Sequence, residues 1–343
     1  MRSSSPTPSI KPYQLLNSTN PWLRRLSKLT CLSTLFLIFV GAMVKSTGSG
    51  LAVPDWPLSY GMFFPPMVGG VFYEHGHRMV ATGVGLLMLI LAIWLGFQEQ
   101  RRWVRNLGYI ALAAVIVQGI LGGITVLFFL PTPISVIHGI LAQVFFILTI
   151  VIAYSQSKER SKREYTRSDA QGNFLKLIVV WTLLIFVQLI LGAIMRHTES
   201  GLAIPDFPRM GGAWIPLFNA EMIATINQWR FENNYDPVTQ IQVIYHFCHR
   251  LGALLITFVF CLLNFVGIRY YSHNKRIRSI LIWLDLFVIL QIYLGITTVL
   301  TQKAPEITSL HVVTGALILG LSVLLFLRVS PLSFKSLRHQ VCH

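Results

Sequence analysis

Acidic residues are scarce in this chain: Asp and Glu number 13 against 28 Lys and Arg, and all four types together make up only 12% of 343 residues. A water-soluble domain carries about a quarter, so a solvated globular protein is excluded. Cysteine is also sparse. Cys31, Cys248 and Cys261 fall inside apolar runs and Cys342 lies in the C-terminal tail, with no CxxC pair anywhere. Neither a disulfide stapling an outer loop nor a cysteine zinc site is therefore available. No cleavable secretory leader is expected either, because the first apolar run is long enough to span a bilayer.

What is there instead is apolar sequence: 54% hydrophobic residues and a mean hydropathy of +0.61. Runs of about 20 apolar residues, the length a spanning helix needs, recur at 27–48, 72–97, 103–128, 133–155, 173–196, 240–268, 278–301 and 306–329. This pattern predicts an all-α membrane protein with eight transmembrane helices. The formal charge of +15 invites comparison with nucleic-acid binders, but its distribution argues otherwise. Arg24, Arg25 and Lys28 precede the first run; RRWVR follows the second, SKERSKREYTR the fourth and RYYSHNKRIR the sixth. Arg328, Lys335 and Arg338 surround the end of the eighth. Basic residues on one side of every second crossing set the orientation, so both termini are expected in the cytoplasm and no nucleic-acid partner is. Residues 1–26, polar and without an acidic residue, read as a cytoplasmic tail of a bacterial inner-membrane protein. A mitochondrial transit peptide fits less well, for want of an amphipathic helix.

The chain repeats itself. GAMVKSTGSGLAVPDWP at 41–57 returns as GAIMRHTESGLAIPDFP at 192–208, an offset of 151 residues from Ser49 to Ser200. YEHGHR at 73–78 returns as YHFCHR at 245–250, His77 to His249, an offset of 172; QGILGGITVL at 118–127 returns as QIYLGITTVL at 291–300, an offset of 173 that carries His138 onto His311. The growth in offset places an insertion within 213–238. Four crossings return a chain to its starting side, so the halves form a parallel repeat about an axis along the membrane normal. The expected organisation is a tail at 1–26, one four-helix half at 27–156, a basic cytoplasmic linker at 157–172, a second four-helix half at 173–330 and a tail at 331–343.

Each half puts one histidine near the start of its second helix and one near the start of its fourth: His77 with His138, and His249 with His311. Second and fourth helices run the same way, so the two imidazoles of a pair share a depth and can grip a planar ligand from opposite faces. Bis-histidine heme coordination fits that arrangement; zinc lacks ligands there. The competing reading, an interfacial histidine bonded to a loop carbonyl or water, explains one such residue better than four in register. Arg78 and Arg250 follow a proposed ligand in each half. They are expected to pair with a heme propionate or a loop aspartate, the alternative being a snorkelled surface arginine. Asp55 and Asp206, in the repeated SGLAxPDxP loop, read as turn caps.

The halves diverge at Glu74, which shares a helical face with His77, whereas the second half has His246 at that place. A carboxylate in a membrane-embedded site can act as a base or offset developing positive charge. The alternative is an interfacial ion pair with Arg78, worth little when exposed. The first half accordingly reads as catalytic and the second as a cofactor holder. His75, His246 and His197 are expected to be interfacial, and His273, His339 and His343 cytoplasmic. Gln118, Gln188 and Gln291, beside LG pairs, are expected to hydrogen-bond between helices.

Together, TGSGLAVPDWPLSYG, EHGHR, His138, His311 and the four-plus-four repeat resemble the heme A synthase family over nearly the whole membrane region. That resemblance implies oxidation of the methyl group at position 8 of heme O to a formyl group through a hydroxylated intermediate, for terminal oxidases. It implies Glu74 as the catalytic carboxylate, His77 and His138 as holders of the substrate heme, and His249 and His311 as axial ligands of a heme b cofactor. It also implies heme O synthase and oxidase assembly factors as partners, and leaves oligomerisation open. A subclass of the family carries cysteine pairs in the outer loops; the loops at 46–71 and 197–239 have none. The main competitor is a diheme cytochrome exchanging electrons with quinone, which gives no reason for a carboxylate in one site only. A parallel-repeat transporter fits less well, because the ionisable residues cluster near one face.

Overall fold

The computed structural model describes residues 20–161 and 169–330. The tails at 1–19 and 331–343, with His339, Cys342 and His343, and linker residues 162–168 lie outside the described residues. Among the described residues ten α-helices follow in order, with a 3-10 turn at Ser200–Leu202 before the seventh: α1 (Pro21–Ser46), α2 (Gly70–Gln98), α3 (Arg102–Leu127), α4 (Thr132–Ser155), the single turn α5 (Lys158–Ser161), α6 (Asp169–His197), α7 (Ala220–Glu232), α8 (Gln240–Tyr271), α9 (Lys275–Leu300) and α10 (Pro305–Val329). Among the described residues all but α5 and α7 are long and apolar enough to cross a bilayer, eight in total. The chain is an all-α integral membrane protein.

Each span is a helix because lipid offers backbone groups no partner, so every N–H and C=O must be satisfied within the segment. Packing then divides its apolar surface. On α2, Val84, Met88, Leu91 and Leu95 are buried while Leu86, Ile93 and Phe97 are exposed, so one helical stripe turns inward and the rest meets lipid. The inward stripe packs with Ala111 of α3 and Phe145 and Ile152 of α4. In the second half Trp181 of α6 stacks on Phe260 of α8 at 5.0 Å, within a core that includes Leu284 and Leu319.

Helices α1 to α4 pack around one another, as do α6, α8, α9 and α10, and the halves meet through α1 against α10, α4 against α6, and α4 against α10. The first two contacts exchange under the repeat, an arrangement consistent with two bundles about a common axis. Helix α1 begins at Pro21, earlier than the apolar pattern alone indicates, because the Asn20 side chain accepts from Trp22 N and proline occupies the first turn, a position where its missing N–H is harmless.

The insertion holds a helix that sequence reasoning did not place. Asn219 caps α7 through Met222 N at 2.9 Å, and Met222 and Ile226 pack on Ala203, Ile204, Val238 and Val243. Arg230 on the same stripe donates to Leu202 O at 3.1 Å. The insertion therefore buttresses the second outer loop from above.

Candidate functional site

The four histidines are each half-buried and each rests on a glycine of the preceding span. A methyl group built on Gly41 of α1 would lie 3.0 Å from Cε1 of His77; on Gly122 of α3, 3.4 Å from His138; on Gly192 of α6, 3.3 Å from His249; and on Gly295 of α9, 3.1 Å from His311. Gly41 and Gly192 are related by the first offset, and Gly122 and Gly295 by the third. The fold thus makes four equivalent notches in which the Cε1 edge of an imidazole closes on a neighbouring backbone. A side chain as small as alanine crowds the notch. Gly295→Ala is expected to displace His311 and lower heme recovered with the purified protein by about 10-fold or more, the scale of effects seen when a ligand's support is lost. Optical absorbance per chain measures it.

Behind three of the notches sits a glutamine one turn deeper. Gln118 Nε2 donates to His138 O at 2.9 Å and Gln188 Nε2 to His249 O at 2.7 Å. Gln188 Nε2 also stands 3.2 Å from His249 Nδ1, and Gln291 Nε2 is 3.5 Å from the His311 ring. The expected bonding between helices is present, and its partners are the site histidines.

The ring centroids of His249 and His311 are 6.4 Å apart, with planes at 67°. Two metal–nitrogen bonds of about 2 Å in line, extended to the ring centres, separate axial imidazoles by roughly 6 Å, so the pair has the spacing for one iron between them. Nδ1 of His77, His138 and His311 is buried without a hydrogen-bond partner, and among the described residues no group of three His, Cys, Asp or Glu side chains converges to hold a bare metal ion. Paired imidazoles without further ligands fit a metal whose other positions are filled by a macrocycle, and the residues present fit heme.

The outer loops after α1 and α6 are tied to α2 and α8 by one device used twice. Asp55 accepts from Tyr60 N and Gly61 N, and Asp206 from Gly211 N and Gly212 N; both are turn caps. The Gly61 N–H, with that of Tyr60, holds the Asp55 carboxyl below the usual carboxylate range. Arg78 donates to Val53 O, Asp55 O and Leu58 O. Arg250 donates to the repeat-related Ile204 O, Asp206 O and Arg209 O. Among the described residues each arginine reaches the loop, including its aspartate, through backbone carbonyls rather than through a carboxylate, and neither is a snorkelled surface residue.

Glu74 belongs to the same device. Its Oε1 is 2.6 Å from Arg78 Nη2 and its Oε2 accepts from Val53 N at 2.8 Å. His246 occupies the equivalent place, its Nδ1 accepting from Ile204 N at 3.1 Å and its Nε2 standing 3.3 Å from Arg250 Nε. The ion pair with Arg78 exists, but it is buried rather than interfacial: Glu74 is 4% exposed and His246 3%. His75, expected at the interface, is likewise buried, with Nδ1 2.8 Å from Ser59 Oγ. The two halves share an architecture here and differ in chemistry, a carboxylate against an imidazole.

Sequence reasoning also passed over the repeated cations Lys45 and Arg196. Arg196 of α6 crosses between halves to Ala42 O and Ser46 Oγ of α1, while Lys45 of α1 pairs with Glu199 at 2.5 Å. Burial pushes the Glu199 carboxyl up, but donation from Lys45, with the charge of Lys303, more than offsets it and holds the group below its usual range.

Residues 24–70 and 69–323 match the COX15-CtaA family, described as cytochrome oxidase assembly protein. The chain belongs to this family. Among curated relatives it is similar to the heme A synthase of Bacillus licheniformis, 28% identical over 82% of this chain and 88% of the relative. It is similar also to that of Halalkalibacterium halodurans, 26% identical over 84% and 91%, and to that of Staphylococcus saprophyticus, 27% identical over 87% and 93%. The match covers both histidine pairs, both outer loops and the latch that contains Glu74, so the site lies wholly inside the part of the chain the family shares.

Proposed function

We propose that this protein is a heme A synthase, an oxidoreductase that converts the C8 methyl of heme O to a formyl group through a hydroxylated intermediate. The observation that carries the reading is one architecture used twice with a change of chemistry beside the histidines: two histidine pairs on glycine notches with repeated loops, a carboxylate latch next to the first pair and an imidazole next to the second. His77 and His138 bind and orient the substrate heme, and positioning of that kind supplies much of the rate. Methyl plus water to hydroxymethyl, and hydroxymethyl to formyl, each release two electrons and two protons; Glu74, one turn outward from His77, offsets positive charge developing at the methyl carbon and takes a proton directly or through a water, and the electrons go to an external one-electron acceptor. His249 and His311 hold a heme b cofactor, which when bound supplies a one-electron carrier. Arg78 and Arg250 act through the loops, holding them over the two sites and excluding water; their engagement with backbone carbonyls favours that role over direct propionate pairing.

The basic segments between every second pair of spans support a bacterial inner-membrane location with both termini in the cytoplasm. Heme O synthase and oxidase assembly factors are the partners this activity calls for.

The test is expression in a bacterial strain that makes heme O but lacks its own heme A synthase, followed by chromatography of extracted hemes. Heme A is expected to appear with the intact gene. Heme O alone, from a protein that accumulates and binds heme, is the outcome that would leave the diheme cytochrome as the better account.

A further inference from the structure

One of the four histidine seats differs from the rest. Gln118, Gln188 and Gln291 each precede a notch glycine by one turn, and each presents an amide to the histidine seated there. On α1 the residue one turn before Gly41 is Leu37, which the repeat places on Gln188. A second difference matches it. Gln188 needs Gly252, because a methyl group there would collide with Gln188 Oε1. The repeat places Val80 of α2 on Gly252. The second half thus has glutamine facing glycine at the positions where the repeat gives the first half leucine and valine.

We infer that Leu37 and Val80 leave His77 as the one axial ligand with no amide behind it, the ligand released when substrate heme enters and product leaves, while Gln188 with Gly252 fixes His249 around a resident cofactor. This rests on the reading of two heme sites given above. A substrate site must bind and let go, whereas a cofactor site must only hold. Both ligands of the second pair have an amide beside the imidazole itself; in the first pair Gln118 reaches only the His138 carbonyl, and no glutamine stands behind His77. The net worth of a single hydrogen bond, about 0.5–1.5 kcal/mol, corresponds to roughly 2- to 10-fold in a dissociation rate. Leu37 and Val80 are positioning residues in this account, acting on heme through His77.

The experiment transplants the tether. Full-length protein purified in detergent with its hemes is mixed with excess apomyoglobin, and the heme remaining on the chain is extracted and separated by type over time. The unaltered protein is expected to lose O- and A-type heme faster than b-type. L37Q/V80G is expected to slow loss of the O- and A-type heme by about 2- to 10-fold, and to lower steady-state turnover while a single turnover of bound heme O keeps its rate. L37M/V80G, which opens the same space without the amide, should release heme as the unaltered protein does. Release from L37Q/V80G at the unaltered rate, with heme content and low-spin spectrum intact, overturns the inference, as does equal slowing by L37M/V80G. If the double variant does not accumulate, the reciprocal Q188L/G252V carries the test: b-type heme should leave faster, and an unchanged rate overturns the tether. A chain that binds only one heme sinks the two-site reading itself, an outcome visible in the unaltered protein before any variant is made.

Discussion

His311→Ala is expected to remove b-type heme from the purified protein and to abolish heme A formation, while the fold and the first site persist. His311 stands 6.4 Å from His249, centroid to centroid, with Nδ1 buried and unpaired. Alanine leaves a half-buried space against Gly295 and one imidazole to hold the macrocycle alone. Losing a group that only supports a metal ligand reduces affinity or activity about 10- to 100-fold, so losing the ligand itself should exceed about 100-fold in activity. Extracted heme measured by type is the decisive readout: b-type should vanish while heme O is still bound through His77 and His138. His75→Ala makes the contrast, because His75 is buried and bonded to Ser59 but outside both pairs; it should keep both hemes. Retention of b-type heme by His311→Ala would remove this residue from the cofactor site.

Glu74→His carries the second large effect. The substitution writes the second half's residue into the first, where an imidazole can accept from Val53 N as His246 accepts from Ile204 N and can face Arg78 as His246 faces Arg250. The latch survives, and the carboxylate does not. If Glu74 works as a base and charge stabiliser, conversion of heme O should fall about 10²- to 10⁴-fold, the range for a positioned acid–base group, while both hemes stay bound. Glu74→Gln should give a comparable loss. If Glu74 is only a loop latch, Glu74→His should convert heme O at close to the normal rate. Chromatography of hemes from cells expressing each variant at equal protein level separates the two cases.

How much of this was legible in the sequence follows from the range over which each signal acts. The eight spans and the paired histidines depend on local facts, the length of an apolar run and the rarity of an ionisable residue inside one. The repeat was legible because loop and ligand residues recur at fixed offsets. The notches were not: Gly41, Gly122, Gly192 and Gly295 are ordinary glycines until the packing of adjacent spans lays an imidazole on each. The bonds of Arg78 to the loop were not legible for a related reason. Its acceptors are the backbone carbonyls of Val53, Asp55 and Leu58, and a carbonyl has no sequence signature. His75 and His246 lie near helix starts and so looked interfacial, but the loop folds over them. In α7 the stripe of Met222, Ile226 and Arg230 has meaning only against the second outer loop, which its helix covers.

The account depends on two heme irons per chain, each between two imidazoles. Heme content per chain, with iron ligation read by electron paramagnetic resonance on purified protein and on His249→Ala and His77→Ala, tests it most directly. Two hemes per chain are expected when substrate is supplied, the b-type lost with His249→Ala and the O-type weakened with His77→Ala. Hemes that stay bound with unchanged ligation in both variants would contradict it.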